Sequence, residues 1–196
     1  MESSFSDFIY RRGLAWSAFT TLDKIWKAFD DELPLPLKIR IWKASVQSVL
    51  LYGCKSWIID QKLESQINSF GISCYRTLLG ISRLDRIPNL DILKRVKQEP
   101  LIQTVRARQL GWLGHTLRRD NEEPAKVFAL YEPPPGLGKC KAGRPKLTYR
   151  EHISAILTSQ PDALSLENIV RLANDRKEWK KRVEACRSVQ KKRAKH

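Results

Sequence analysis

Gln103-Thr104-Val105-Arg106-Ala107-Arg108-Gln109-Leu110-Gly111-Trp112-Leu113-Gly114-His115-Thr116-Leu117-Arg118-Arg119 is the stretch from which the rest of the chain is read. Wound as an α-helix, it places Val105, Leu110, Trp112, Leu113 and Leu117 on one broad apolar side. The other side collects Arg108, Gly111, Gly114, His115 and Arg118, and the segment also carries Arg106 and Arg119. Each glycine inside a helix costs about 1 kcal/mol against alanine, so the segment must gain something in return. Two returns fit. A glycine-flat surface flanked by arginines lets a phosphate backbone come close. Alternatively, the glycines make room for a neighbouring helix.

Working outward, nearly every segment reads as helix. Leu14, Ala18, Leu22, Ile25 and Phe29 fall at helical spacing over 14–29, with Trp16 and Trp26 adding apolar bulk. Asp30-Asp31-Glu32-Leu33-Pro34-Leu35-Pro36 breaks that helix. Residues 37–52 are apolar nearly all round, with a narrow polar stripe of Arg40, Lys43 and Gln47, which predicts a central buried helix. Leu63, Ile67, Phe70, Cys74 and Leu78 mark another, closed by Gly80. Pro88-Asn89, Pro100 and Pro124 open three more. The run 132–146, Glu-Pro-Pro-Pro-Gly-Leu-Gly-Lys-Cys-Lys-Ala-Gly-Arg-Pro-Lys, forbids regular structure and reads as a basic linker. Helices are predicted beyond it over 147–157, 166–173 and 174–189. The expected fold is mainly α: an irregular helical bundle over 1–131, the linker over 132–146, and a small helical C-terminal segment over 147–196 with a basic tail.

The charge is unusual for a globular chain. Among 196 residues, 36 Lys and Arg face 21 Asp and Glu, for a net charge of +15. Residues 1–60 hold 8 basic and 7 acidic side chains, residues 61–120 hold 11 and 5, and residues 121–196 hold 17 and 9. The excess therefore belongs to the later two thirds and favours polyanionic partners, nucleic acid first. No apolar run is long enough for a membrane span, and the first residues lack the order of a signal peptide, which predicts an intracellular protein with no membrane partner. Cys54, Cys74, Cys140 and Cys186 are scattered, as are His115, His152 and His196. Reduced thiols are expected rather than a metal site.

Catalytic constellations are absent from the sequence. Asp30-Asp31 follows Phe29 directly, with a helix before it, so it reads as a solvated helix end and not as a magnesium-holding polymerase turn. Glu122-Glu123 precedes Pro124 as acids suited to a helix N-terminus. His115 lies on the arginine face, where it either contacts phosphate or is satisfied by neighbours. Gly143-Arg144-Pro145, with Lys139, Lys141 and Lys146 around it, partly matches a minor-groove hook, but Ala142 stands where its first arginine belongs. Phosphate contact by a basic loop is the expectation there. Lys192-Arg193-Ala194-Lys195 fits a basic import or nucleic-acid patch, or a solvated tail. The candidate binding residues are thus Arg106, Arg108, His115, Arg118, Arg119, Lys139, Lys141, Arg144 and Lys146, with no catalytic, cofactor or metal residue.

The order of these segments resembles the C-terminal region of non-LTR, LINE-type retrotransposon reverse transcriptases, and the RTE-like endonuclease-reverse transcriptases most closely. The resemblance rests on Ala15-Trp16-Ser17-Ala18-Phe19 with Leu22-Asp23-Lys24-Ile25-Trp26, and on Val49-Leu50-Leu51-Tyr52-Gly53 with Trp57. It continues through Phe70-Gly71-Ile72-Ser73-Cys74-Tyr75-Arg76 with Leu79-Gly80-Ile81, and through Arg106–Arg119 with its Gly-Trp-Leu-Gly-His core. Gly143-Arg144-Pro145 and Leu172-Ala173-Asn174-Asp175-Arg176-Lys177-Glu178-Trp179 complete it. In that family the endonuclease and the polymerase palm, with its aspartates and magnesium, lie upstream. The resemblance implies a noncatalytic thumb-like and post-palm fragment of an RNA-directed DNA polymerase. It further implies RNA or DNA as phosphate-bound partners, the parent's palm as a protein partner, no small-molecule substrate, no cofactor of its own, and a nuclear or nucleocytoplasmic setting. A basic helical module docking on an acidic partner protein is the alternative.

Overall fold

The computed structural model describes residues 4–28, 33–129, 131, 148–158 and 164–188. The Asp30-Asp31 pair, the linker with Lys139, Lys141, Arg144 and Lys146, and the basic tail lie outside the described residues. Among those described, every regular element is helical: the protein is mainly α. None of these helices is long and apolar enough to cross a membrane.

The chain forms two compact units, Met1–Cys54 with Ile59–Val105, and Lys55–Ile58 with Arg106–His196. In the first, α1 (Ser4–Ala28) buries Phe8, Ala15, Phe19 and Trp26. It starts ten residues before the expected Leu14, because Phe8 is wholly buried and Asp7 pairs with Arg11 one turn on at 3.4 Å. The expected face is also displaced, since Leu14 and Ile25 are 42% and 47% exposed. Apolar residues surround this helix, so periodicity offers two faces. The one carrying Phe19 and Trp26 buries more area.

α2 (Leu35–Trp42), a π-helical turn (Lys43–Gln47) and α3 (Ser48–Leu50) occupy the expected central helix. Ile39, Trp42, Val46 and Leu50 point inward, and Trp42 meets the Tyr75 ring at 4.8 Å. The π turn inserts one extra residue and rotates the helix beyond it. Gln47, expected on the polar stripe, is therefore buried, whereas Leu37 is exposed. The helix is one-sided, not buried all round.

α4 (Gln61–Leu78) begins at Asp60, whose carboxylate accepts from the Leu63 N–H at 2.7 Å. It ends in a Schellman turn: Ile81 N–H reaches Arg76 O, Gly80 N–H reaches Thr77 O, and Gly80 takes φ of 64°. α5 (Asn89–Val96) packs against α4 and α2. The first turn of α6 (Leu101–Leu117) lies on α4, where a Cβ on Gly71 would rest 3.5 Å from Leu101.

In the second unit, Leu110, Leu113 and Leu117 of α6 form a core with Ile153, Leu157, Ile169, Ala173 and Trp179. These come from α8 (Tyr149–Thr158), α9 (Leu166–Asn174) and α10 (Arg176–Ser188). Each helix starts on a side-chain cap. Thr148 and Glu151 exchange bonds at α8, Ser165 accepts from Asn168 N–H at α9, and Asp175 accepts from Lys177 and Glu178 N–H at α10. α7 (Pro124–Ala129) opens at its proline, as expected. The units divide inside α6, whereas the sequence reading draws its boundaries at the proline-rich segment. The reason is local: Trp57 and α8–α10 gather on the second half of α6.

Candidate nucleic-acid interface

α6 carries the candidate surface, and its neighbours decide which of its residues reach solvent. Leu110, Leu113, Gly114, Thr116 and Leu117 are buried. The outward side is a stripe at helical spacing: Arg108, Gly111 and His115, continued by Arg119 just past the helix end. Arg108 is half-buried, and Gly111, His115 and Arg119 are exposed.

The two glycines part company here. Nothing lies within 4 Å of a Cβ built on Gly111, so the backbone there is open to an approaching group. A Cβ on Gly114 would fall 2.1 Å from the Trp179 indole nitrogen. That indole donates to Leu110 O at 2.8 Å, lying flat on the helix where the side chain is missing. The expected phosphate approach at Gly114 is thus corrected, and the neighbouring-helix alternative holds at that position.

The arginines divide in the same way. Arg118, expected on the phosphate face, turns inward and donates to Ala173 O at 2.8 Å, holding the last turn of α9. Partial burial and the nearby Arg176 lower its pKa. Arg106 is half-buried beside His152 and Cys186, whose titration it influences. Arg119 stays at the surface, where one guanidinium nitrogen pairs with Glu123 and another lies 3.2 Å from His115 Nε2. Arginine keeps its protons, so in this contact the guanidinium is the donor and the imidazole nitrogen the acceptor. Lys126 Nζ donates to Arg119 O at 2.8 Å, adding a second cation over the end of α6.

Arg108, Arg119 and Lys126 therefore form a cationic edge alongside His115, with Glu123 as the counter-ion of Arg119. The Arg119–Glu123 pair is exposed, and such pairs are worth about 1 kcal/mol or less. An incoming phosphate could replace the carboxylate at little cost and bind the guanidinium through two parallel hydrogen bonds. The edge is suited to holding an anion.

Sequence reading missed a buried polar chain beneath this edge. His152 Nε2 lies 3.1 Å from Gln109 Oε1, and Gln109 Nε2 donates to Trp57 O at 2.8 Å. Gln109 uses its carbonyl as acceptor, so His152 donates from Nε2. Burial first, then the Arg106 charge, brings its pKa down to about 4. The one hint in sequence is that Gln109 lies at helical spacing from the apolar Val105, Trp112 and Leu113. Cys54 and Cys74 are buried thiols and Cys186 is half-buried, and burial pushes Cys74 up to about 12. High thiol pKa values make poor nucleophiles.

No family model matches the chain, and no solved structure matches it. Over 174 residues it is 24% identical to an uncharacterized transposon-derived protein of Caenorhabditis elegans, a match that covers 86% of this chain and 61% of the relative. The chain thus spans about 61% of the length of the curated relative it matches, and its sequence likeness is to transposon-derived protein.

Proposed function

We propose that this chain is the noncatalytic, thumb-like and post-palm region of a non-LTR retrotransposon reverse transcriptase, and that it grips template RNA or target DNA by phosphate contacts. The observation that carries the reading is the outward edge of α6, where Arg108, the open Gly111 backbone, His115 and Arg119 line up on one helix. The net charge of +15 and the transposon-derived relative support it. In the parent, an upstream palm would supply magnesium and bond-making, and this region would hold the substrate in register. The setting would be nuclear or nucleocytoplasmic, where element RNA meets chromosomal DNA.

A salt titration tests the reading. Binding to a duplex of arbitrary sequence should weaken steeply as salt rises, because each neutralised phosphate releases a counterion. Arg108→Ala with Arg119→Ala should weaken binding to unrelated sequences alike and lower the slope by about 1 per lost contact. Arg118→Ala should instead lower thermal stability and leave the slope unchanged, since its guanidinium serves Ala173 O. An unchanged affinity and slope in the double variant would overturn the reading and give the edge to an acidic protein partner.

A further inference from the structure

The first unit carries a groove unlike the α6 edge in chemistry. Arg12 and Trp16 of α1, Ser69, Phe70 and Ser73 of α4, and Arg83 of the short turn Arg83–Asp85 line a hollow of about 450 Å³. A second hollow of about 280 Å³ shares Ser69, Ser73 and Arg83 with it. The larger hollow falls within the span of about 300–1,000 Å³ that ligand sites cover.

Trp16 is 44% exposed in this groove. Its ring stacks on Phe19 at 5.4 Å and meets the edge of Phe70 at 6.0 Å. Two aromatic neighbours thus fix the indole before anything binds, while much of its surface stays in water. Arg12 bridges α1 and α4 by donating to Gln66 Oε1 at 3.4 Å. Arg83 is exposed, and its turn is fixed from below by Arg76, which donates to Ser82 O at 3.2 Å and to Ile87 O. The carboxylate of that turn, Asp85, is occupied by the Ser82 N–H at 2.7 Å. No carboxylate lines either hollow among the described residues. A held π-face, two guanidinium groups and hydroxyls are the parts of a site for bases joined by phosphates.

We propose that this groove takes a single strand of nucleic acid, with one base stacked on Trp16 and the flanking phosphates on Arg12 and Arg83. The inference rests on the nucleic-acid reading of the chain, but it uses a different surface and adds a preference for unpaired strands. In a duplex the bases are stacked on one another and offer no free face to the indole.

Binding of the full chain to an oligouridylate of about eight nucleotides tests this, beside an abasic strand of equal length and a duplex. Trp16→Ala should weaken oligouridylate binding by about tenfold and leave duplex binding unchanged. Trp16→Phe should restore most of the loss, and the parent should bind the abasic strand as weakly as Trp16→Ala binds the oligouridylate. Arg83→Ala, an exposed change, should weaken both strands and flatten their salt dependence. A misfolded variant would lose duplex binding too, and Arg83→Ala then decides. Equal binding of base-bearing and abasic strands by the parent overturns the proposal. Duplex binding that depends on Arg108 and Arg119, with no effect of Trp16 or Arg83 on single strands, removes the groove alone. A parent that binds no strand and no duplex removes the nucleic-acid reading with it. Binding of poly-glutamate, abolished by Arg12→Ala with Arg83→Ala, would assign the groove to an acidic protein instead.

Discussion

Gly111 and Gly114 stand three residues apart on one helix and answer to different physics. Gly111 meets nothing within 4 Å, so Gly111→Ala should stabilise the protein by about 1 kcal/mol through helix propensity. Gly114→Ala should destabilise it by about 1–3 kcal/mol, because the new methyl occupies the place of the Trp179 ring and displaces its hydrogen bond to Leu110 O. Thermal unfolding of the two variants checks the pair, and a shift of the same sign in both would refute the packing described. His152 makes a pH-dependent prediction. Its pKa falls from the ordinary 6.5 to about 4 on folding, so between those values the unfolded chain binds more protons. Stability from this group is full above about 6.5 and is lost as pH falls toward about 4, by about 3 kcal/mol at most. Urea midpoints at pH 7 and pH 5 should separate more in the parent than in His152→Gln. Equal separation would mean that the imidazole is not held neutral by burial.

Helices show where pattern succeeds and where it slips. The Gly80 stop was read from sequence, and the caps at Asp60, Thr148 and Ser165, though not read there, are equally local chemistry, because a short side chain or an unhindered φ settles each within a few residues. Faces are another matter. On α1 the sequence favours Leu14 and Ile25, but the core takes Phe19 and Trp26, since only the packed unit weighs one apolar face against another. In the 35–50 segment the π turn reorients the helix beyond it and Gln47 goes in, while Leu37, ahead of the turn, is exposed. Leu50 stays wholly buried through this change, and Leu50→Ala should cost about 2–5 kcal/mol. Chemical denaturation measures it. A loss under about 0.5 kcal/mol, usual for surface sites, would put Leu50 outside the core.

At the scale of the whole molecule, charge and helicity were legible in the sequence. On the proposed reading, the purified chain neither extends a primer nor nicks DNA in magnesium. Primer extension that follows this polypeptide through purification would refute the noncatalytic role. Composition supplies the net charge of +15 on which the proposed preference for polyanions rests, because charge adds up regardless of folding. Helix positions come from periodicity, proline and capping residues because these act within a turn or two of backbone. By itself, then, the sequence determined a mainly helical chain, strongly basic beyond its first third, with α6 as its most informative segment. Only tertiary structure decided that Arg118 serves Ala173 O, that Arg106 sits beside His152, and that Trp179 fills the space over Gly114. It also assembled the groove of Arg12, Trp16 and Arg83 from residues about seventy positions apart in sequence. The physical reason is range. Propensity and charge are properties of neighbouring residues, whereas which arginine keeps its solvent depends on helices that arrive from elsewhere in the chain.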